Sequence, residues 1–198
     1  MRKLVVVAFL SLDGVYQAPG DPDEDREGGF EHGGWQMPYF DEVMGQSAAE
    51  GMAATDAQLF GRKTFQKMAA YWPNAPEDDP FAQHLNAVQK YVASTTLTDP
   101  RWQPTTVIRD VPTEVAELKA REGGTITVLG SGQLVRTLTA HDLVDEYSLA
   151  VFPLTLGGGK RMFADDGVLR RLRLVDSKPT SIGEILVTYR PDRRNDTG

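Results

Sequence analysis

The sequence contains a glycine turn at a predicted strand–helix junction, an arrangement suited to binding anions. Ile126–Leu129 is a short, mostly β-branched and apolar run that predicts a buried strand. Gly130–Gly132 interrupts this run, and from Gln133 onward the apolar residues have helical spacing. N–H groups at a helix N-terminus are unpaired and partially positive, and glycine lets a phosphate approach them closely. The turn therefore suits a dinucleotide pyrophosphate. The third glycine of the usual fingerprint is absent, so a plain structural turn stays the alternative.

Two further segments place phosphate-binding groups at predicted strand ends. Arg62 and Lys63 follow Gly61, where one strand ends, and Ser94 and Thr95 follow another strand. Ligands of open α/β sheets collect at the carboxyl ends of strands, and arginine pairs bidentately with phosphate. Neither segment contains an acidic residue, which a free ribose hydroxyl prefers, so the pattern favours NADPH over NADH. The alternative for the two cations is a solvated helix start.

Two aspartates are the candidate catalytic residues, as proton donors for hydride transfer. Asp41 begins a predicted helix over residues 39–54, on a flank whose partial burial would raise its pKa. The alternative is an acid that favours the helix dipole. Asp13 follows the first strand, and its alternative is a turn-forming role. Trp35 either stacks on a planar substrate or anchors its loop, and His32 is expected to be exposed.

Predicted strands alternate with predicted helices along the chain, which indicates an α/β sheet that is largely parallel. The predicted strands are residues 4–10, 58–61, 90–93, 106–108, 126–129, 145–152, 172–175 and 184–189. The predicted helices are residues 39–54, 81–88, 113–122 (capped by Thr113) and two that begin at residues 62 and 133. The last two strands form an antiparallel hairpin. We expect one domain over residues 1–190 and a polar tail over residues 191–198.

Two glycine-rich segments have open interpretations. Residues 17–34 are rich in Gly, Pro and acidic residues, and they form either a lid or a disordered loop. Gly157–Gly159, followed by Lys160 and Arg161, forms either an anion nest or a hairpin tip.

Composition excludes several classes of protein. The net charge of −7 argues against nucleic acid or an anionic membrane as the main partner. Without cysteine there is no disulfide or thiolate chemistry, and the three histidines have no metal-ligand spacing, so we expect no metal. No apolar run is long enough to span a bilayer. The expectation is a cytoplasmic enzyme acting on a small molecule.

Several short motifs in order resemble the dihydrofolate reductase-like superfamily, and most closely the C-terminal reductase domain of the bifunctional riboflavin-biosynthesis deaminase–reductase. The motifs are Ser11–Gly14, Gly61–Thr64, Val92–Ser94, Val128–Leu134, Leu143–Glu146, Pro153 and Leu156–Phe163. The resemblance implies a mixed, mostly parallel sheet of about eight strands with flanking helices, NADPH across its strand ends, and frequent homodimers. The implied cofactor-binding residues are Gly61, Arg62, Lys63, Thr64, Ser94, Thr95, Gly130, Ser131, Gly132, Gln133 and Leu134.

The chain departs from dihydrofolate reductases where those enzymes carry a Trp-x-x-Pro-x-acid pattern. Here Phe40 stands at the acidic position and Asp41 follows it, which turns a helical side chain by about 100°. A pterin-specific carboxylate is therefore in doubt. The resemblance places Trp35, Phe40 and Pro153 near the substrate.

The leading hypothesis is an NADPH-dependent reductase of a pterin-like or ribosylamino-pyrimidine molecule. Its rivals are a non-catalytic nucleotide-binding module with the same fold and another enzyme of nucleotides or sugar phosphates.

Overall fold

A sheet of eight strands forms the centre of the computed structural model, which describes residues 1–192. In spatial order it runs β4-β3-β2-β5-β1-β6-β8-β7. Strands β1 to β6 pair in parallel, whereas β8 is antiparallel to β6 and β7 is antiparallel to β8. The strands are β1 Leu4–Ser11, β2 Thr55–Gly61, β3 Gln89–Ala93, β4 Thr105–Ile108, β5 Thr125–Leu129, β6 Glu146–Phe152, β7 Leu172–Pro179 and β8 Ile185–Pro191. The predicted α/β class with antiparallel C-terminal strands is confirmed.

Five α-helices within residues 1–192 pack around this sheet. They are α1 Glu42–Ala53, α2 Arg62–Tyr71, α3 Pro80–Ala87, α4 Val111–Ala120 and α5 Gly132–Ala140. Alternate residues of β1, from Leu4 to Leu10, are buried on one face. That face joins Val115 and Leu118 of α4 and Leu138 of α5 in the main core. A smaller aromatic core lies around Phe60 and Trp102.

Three predicted boundaries are corrected by local hydrogen bonding. The helix predicted from residue 39 begins at Glu42, because Asp41 has extended dihedrals and caps it. Helix α4 is capped by Asp110 and not by Thr113, which lies inside the helix. Pro191 is the last residue of β8 and does not belong to a tail. The rest of the predicted tail, residues 193–198, lies outside the described residues.

The loop over residues 17–34 closes on itself through Gln17, whose side chain is buried. The Gln17 amide donates to the carbonyls of Asp25 and Glu27 at 3.1 and 3.0 Å. At the loop's end the backbone N–H of Gly34 donates to Ala18 at 2.9 Å. These bonds hold the loop's acidic segment beside the strand ends.

Candidate functional site

The carboxyl ends of the parallel strands open onto one cleft of about 2160 Å³. Pockets for a single small ligand usually measure roughly 300–1,000 Å³, so this cleft has room for a dinucleotide and a second molecule. Every predicted cofactor-binding residue lines it: Gly61, Arg62, Lys63, Thr64, Ser94, Thr95, Gly130, Ser131, Gly132, Gln133 and Leu134. The fold thus brings together three segments that are distant in sequence.

The glycine turn before α5 holds two consecutive residues in the left-handed region. Gly130 has φ 58°, with open space where a Cβ would stand. Ser131 has φ 55° and ψ 49°, which is strained for a residue with a side chain. Its hydroxyl accepts from the Gly61 N–H at 3.0 Å and donates to the Leu129 carbonyl at 3.3 Å. Because that hydroxyl faces the end of β2, it does not cap α5.

Helix α2 also begins at the cleft without a side-chain cap. Gly61 occupies the N-cap position in an extended conformation, and the first turn contains no acidic residue. The Arg62 guanidinium donates to Gln66 Oε1 at 3.1 Å along the same helix and is exposed. The other three α-helices of the described chain are capped by aspartates, namely Asp41, Asp79 and Asp110. Two uncapped, partially positive helix ends therefore face one cleft.

The segment after β3 contributes hydroxyls to the cleft, and it is held by an arginine from the end of β4 that sequence reasoning missed. The Ser94 hydroxyl accepts from the N–H groups of Thr96 and Leu97 at 3.2 and 3.0 Å, which fixes the turn. Arg109 donates to the carbonyls of Ser94 and Leu97, each at 2.5 Å, and lines the cleft. Arg109 directly follows β4, so the strand-end rule applied above to Arg62 identifies it too.

Asp41 is fully used as a helix cap and does not line the cleft. One oxygen accepts from the Met44 N–H at 2.9 Å, and the other accepts from the Ser181 N–H and hydroxyl at 2.9 and 2.7 Å. These bonds, led by that of Met44, lower the pKa of Asp41. The expected raised pKa is therefore wrong, because the carboxylate is exposed and hydrogen-bonded instead of lying against an apolar helix flank.

Asp13 ties two loops together and likewise lies outside the lining of the cleft. Its carboxylate accepts from the Ser11 hydroxyl at 2.6 Å and from the N–H groups of Leu156 and Gly157 at 3.1 and 2.9 Å. The Ser11 hydroxyl is the main cause of the lowered pKa of Asp13. This geometry matches the turn-forming alternative.

Of the three residues predicted to lie near the substrate, one lines the cleft and two do not. Phe40 lines the cleft and is 67% exposed. Trp35 does not line the cleft but is buried in a core cluster, with its ring edge-on to Phe152 and its N–H donating to the Gln17 carbonyl at 2.8 Å. Pro153 is exposed beside Gly183, also outside the lining. Packing of the indole in the core corresponds to the anchoring alternative for Trp35.

Tyr16 is a further cleft residue that no motif marks. A Cβ added to Gly132 would lie 2.5 Å from its ring, so the phenol covers the start of α5 and requires glycine there. Burial raises the pKa of Tyr16.

Comparison with known proteins agrees with this geometry. The family model of the RibD C-terminal domain matches residues 2–186 of the chain. The uncharacterized protein YyaP of Bacillus subtilis (strain 168) is 31% identical over 137 residues, which are 68% of this chain and 73% of YyaP.

Two solved structures share the fold. A putative riboflavin biosynthesis protein from Shewanella sp. PV-4 has a TM-score of 0.69 at 20% identity, covering 96% of this chain and 99% of that one. Dihydrofolate reductase from Enterococcus faecalis, solved with NADP(H), has a TM-score of 0.59 at 16% identity, covering 96% of each chain.

Two classes of feature are absent from residues 1–192. No group of three or more His, Asp or Glu side chains is placed to hold a metal ion. Among the helices of that range, none combines the length and the apolarity needed to cross a membrane.

Proposed function

The chain belongs to the RibD C-terminal domain family, whose model matches residues 2–186, and on that premise we propose that it is an NADPH-dependent reductase. Membership and the shared fold support a reductase-type function. We propose further that it transfers a hydride, in the cytoplasm, to a planar heterocyclic molecule, either pterin-like or a ribosylamino-pyrimidine.

One observation carries the proposal: α2 and α5 both begin at the cleft without side-chain caps. Helix N-termini with free N–H groups stabilise phosphate oxygens. In this proposal the turn from Gly130 to Gly132 holds the pyrophosphate. Arg62, Ser94 and Arg109 hold the 2′-phosphate, which needs cations and hydroxyl donors.

Bound NADPH would supply the hydride, and the chain's own groups orient the two reactants. Phe40 offers an apolar ring at the cleft for a planar acceptor. Because Asp13 and Asp41 are held outside the lining, neither is in place to donate a proton directly from this conformation.

Calorimetric titration with NADPH and NADH tests the proposal. We expect NADPH to bind more tightly than NADH, and then to be oxidised when pterin, flavin or pyrimidine acceptors are added. Absence of NADPH binding at millimolar concentration would remove the proposal.

The carboxylates of Asp13 and Asp41 are both occupied by hydrogen bonds within the protein. This favours a second candidate, a non-catalytic nucleotide-binding module. It predicts NADPH binding without oxidation by any of these acceptors. Oxidation of NADPH by wild type with any of these acceptors would select the reductase over the non-catalytic module.

We also propose that the chain forms a homodimer through β7. All eight residues of this edge strand are exposed, and Leu174 and Val175 are 54% and 40% exposed. An exposed edge strand presents unpaired backbone groups that can pair with another chain. Light scattering should show a dimer that Leu174→Lys converts to a monomer, and a monomeric wild type would contradict this proposal.

A further inference from the structure

Two lysines from opposite sides of the cleft converge on one carboxylate oxygen. Glu27 Oε2 accepts from Lys63 Nζ and from Lys160 Nζ, each at 2.7 Å. Lys63 is in the first turn of α2, whereas Lys160 follows the glycine turn after β6. All three residues line the cleft. The 17–34 loop therefore places an anion between two cations of different elements.

The surrounding charges show why an anion is needed there. Lys160 also contacts Asp25 Oδ2 at 2.6 Å. Burial alone would lower the pKa of Lys160, but its bonds to Asp25 and Glu27 raise it. Hydrogen bonds from Lys160 and Lys63 lower the pKa of Glu27. Without Glu27, the two ammonium groups would face each other beside the positive end of α2.

The Glu27 side chain can turn away from this position while the Gln17 amide holds the Glu27 backbone carbonyl at 3.0 Å. Gly28 and Gly29 follow it with φ of 72° and 75°, and nothing lies within 4 Å of where their Cβ atoms would stand. The Glu27 side chain is 56% exposed, so little packing holds it. Exposed ion pairs of this kind contribute little stability, and a stronger anion can displace the carboxylate.

We propose that Lys63 and Lys160 form a phosphate-binding position that Glu27 occupies until a phosphate of the dinucleotide replaces it. The inference rests on the proposed function and adds Lys160 to the cofactor-binding residues. A phosphate has more acceptor oxygens than a carboxylate, so it can bind both lysines and the α2 N-terminus. Asp25 stays paired with Lys160 when the phosphate binds. Its negative charge disfavours binding of a second phosphate between Lys63 and Lys160.

Glu27→Gln removes the competing charge and tests the inference. We expect NADPH and inorganic pyrophosphate to bind about threefold to tenfold more tightly than to wild type in calorimetry. Lys160→Met should weaken the binding of NADPH and of inorganic pyrophosphate by a similar factor. Asp23→Asn is the matched control, because this exposed carboxylate of the same loop pairs with Arg26 and should leave both affinities unchanged.

The outcomes separate this inference from the proposed function. If wild type binds NADPH but Glu27→Gln and Lys160→Met bind it equally well, the inference fails alone. Binding of pyrophosphate that responds to both variants, without NADPH binding, supports the phosphate position and contradicts the proposed function. A wild type that binds neither ligand overturns both. Thermal unfolding verifies that each variant is folded. If Glu27→Gln does not fold, the affinities of Lys160→Met alone decide whether the inference holds.

Discussion

The unpaired backbone groups at the ends of α3 have side-chain partners, whereas the start of α5 has no side-chain cap. At the start of α3, Asp79 Oδ1 accepts from the Phe81 and Ala82 N–H groups at 2.8 and 3.4 Å. At its end, the buried Lys90 ammonium donates to the carbonyls of Leu85, Asn86 and Val88 at 2.8–3.3 Å. At the start of α5, the hydroxyl of the N-cap residue Ser131 bonds to Gly61 and Leu129 instead.

Under the proposed function, the difference separates groups used for stability from groups available to a ligand. A cap contributes about 1 kcal/mol, so leaving two helices uncapped at one cleft has a cost. A ligand phosphate can supply the missing hydrogen bonds. The uncapped ends of α2 and α5 are therefore stronger indicators of the binding site than either glycine motif alone.

The largest expected effect concerns Lys90, at the satisfied end of α3. Burial lowers its pKa from 10.5 to about 8. Between these values the unfolded chain binds more protons than the folded chain, so the free energy of unfolding rises with pH across this window. Relative to Lys90→Met, wild type should gain about 3 kcal/mol between pH 7 and pH 10.5 in urea unfolding. Parallel pH profiles would show that the Lys90 amine is not desolvated.

Gly61→Asp would give α2 the cap that α3 already has. The dihedrals of Gly61, φ −73° and ψ 154°, suit aspartate, and the nearest atom to the added Cβ is 3.6 Å away. We expect the free energy of unfolding to rise by roughly 0.3 kcal/mol and NADPH binding to weaken by about 100-fold, because the carboxylate takes the N–H groups and repels phosphate. Gly61→Asn adds a neutral cap, so it should lose less NADPH affinity than Gly61→Asp. Unchanged calorimetric affinity in Gly61→Asp would mean that α2 does not bind phosphate.

Arg62→Ala tests which phosphate the start of α2 recognises. Loss of one bidentate partner should weaken NADPH binding by about tenfold and leave NADH binding unchanged. Arg101→Ala is the control, because this exposed arginine pairs only with Asp99 among the described residues. Equal losses of NADPH and NADH affinity would show that Arg62 does not recognise the 2′-phosphate.

Asp79→Ala should have the smallest effect, limited to stability. Removing the cap of α3 should lower the free energy of unfolding by about 1 kcal/mol, measured by urea denaturation. NADPH affinity should remain within about twofold of wild type. A large loss of affinity would indicate that α3 contributes to binding, which would weaken the distinction between capped and uncapped helices.

Local patterns were enough to predict the sheet and three strand-end segments that line the cleft. The apolar runs at Leu4–Ser11 and Thr125–Leu129 and the glycine at position 61 carry their information in neighbouring residues. The roles of Asp13 and Asp41 could not be predicted this way. Their partners, Gly157 and Ser181, are more than a hundred residues away in sequence.

The same limit applies to the cleft residues that no motif marked. Arg109 could have been found from its place after β4, by the rule that identified Arg62. Tyr16 and Lys160 could not, because their positions depend on how the 17–34 loop and the turn after β6 fold over the strand ends. Long-range loop geometry of this kind has no periodic signal in the sequence.

The Ser131 hydroxyl, bonded to the Gly61 N–H at 3.0 Å, links the ends of β5 and β2. It thereby holds the starts of α2 and α5 next to each other before any ligand arrives. Under the proposed function, one anionic group of the cofactor can then meet both helix starts without reorganising the protein.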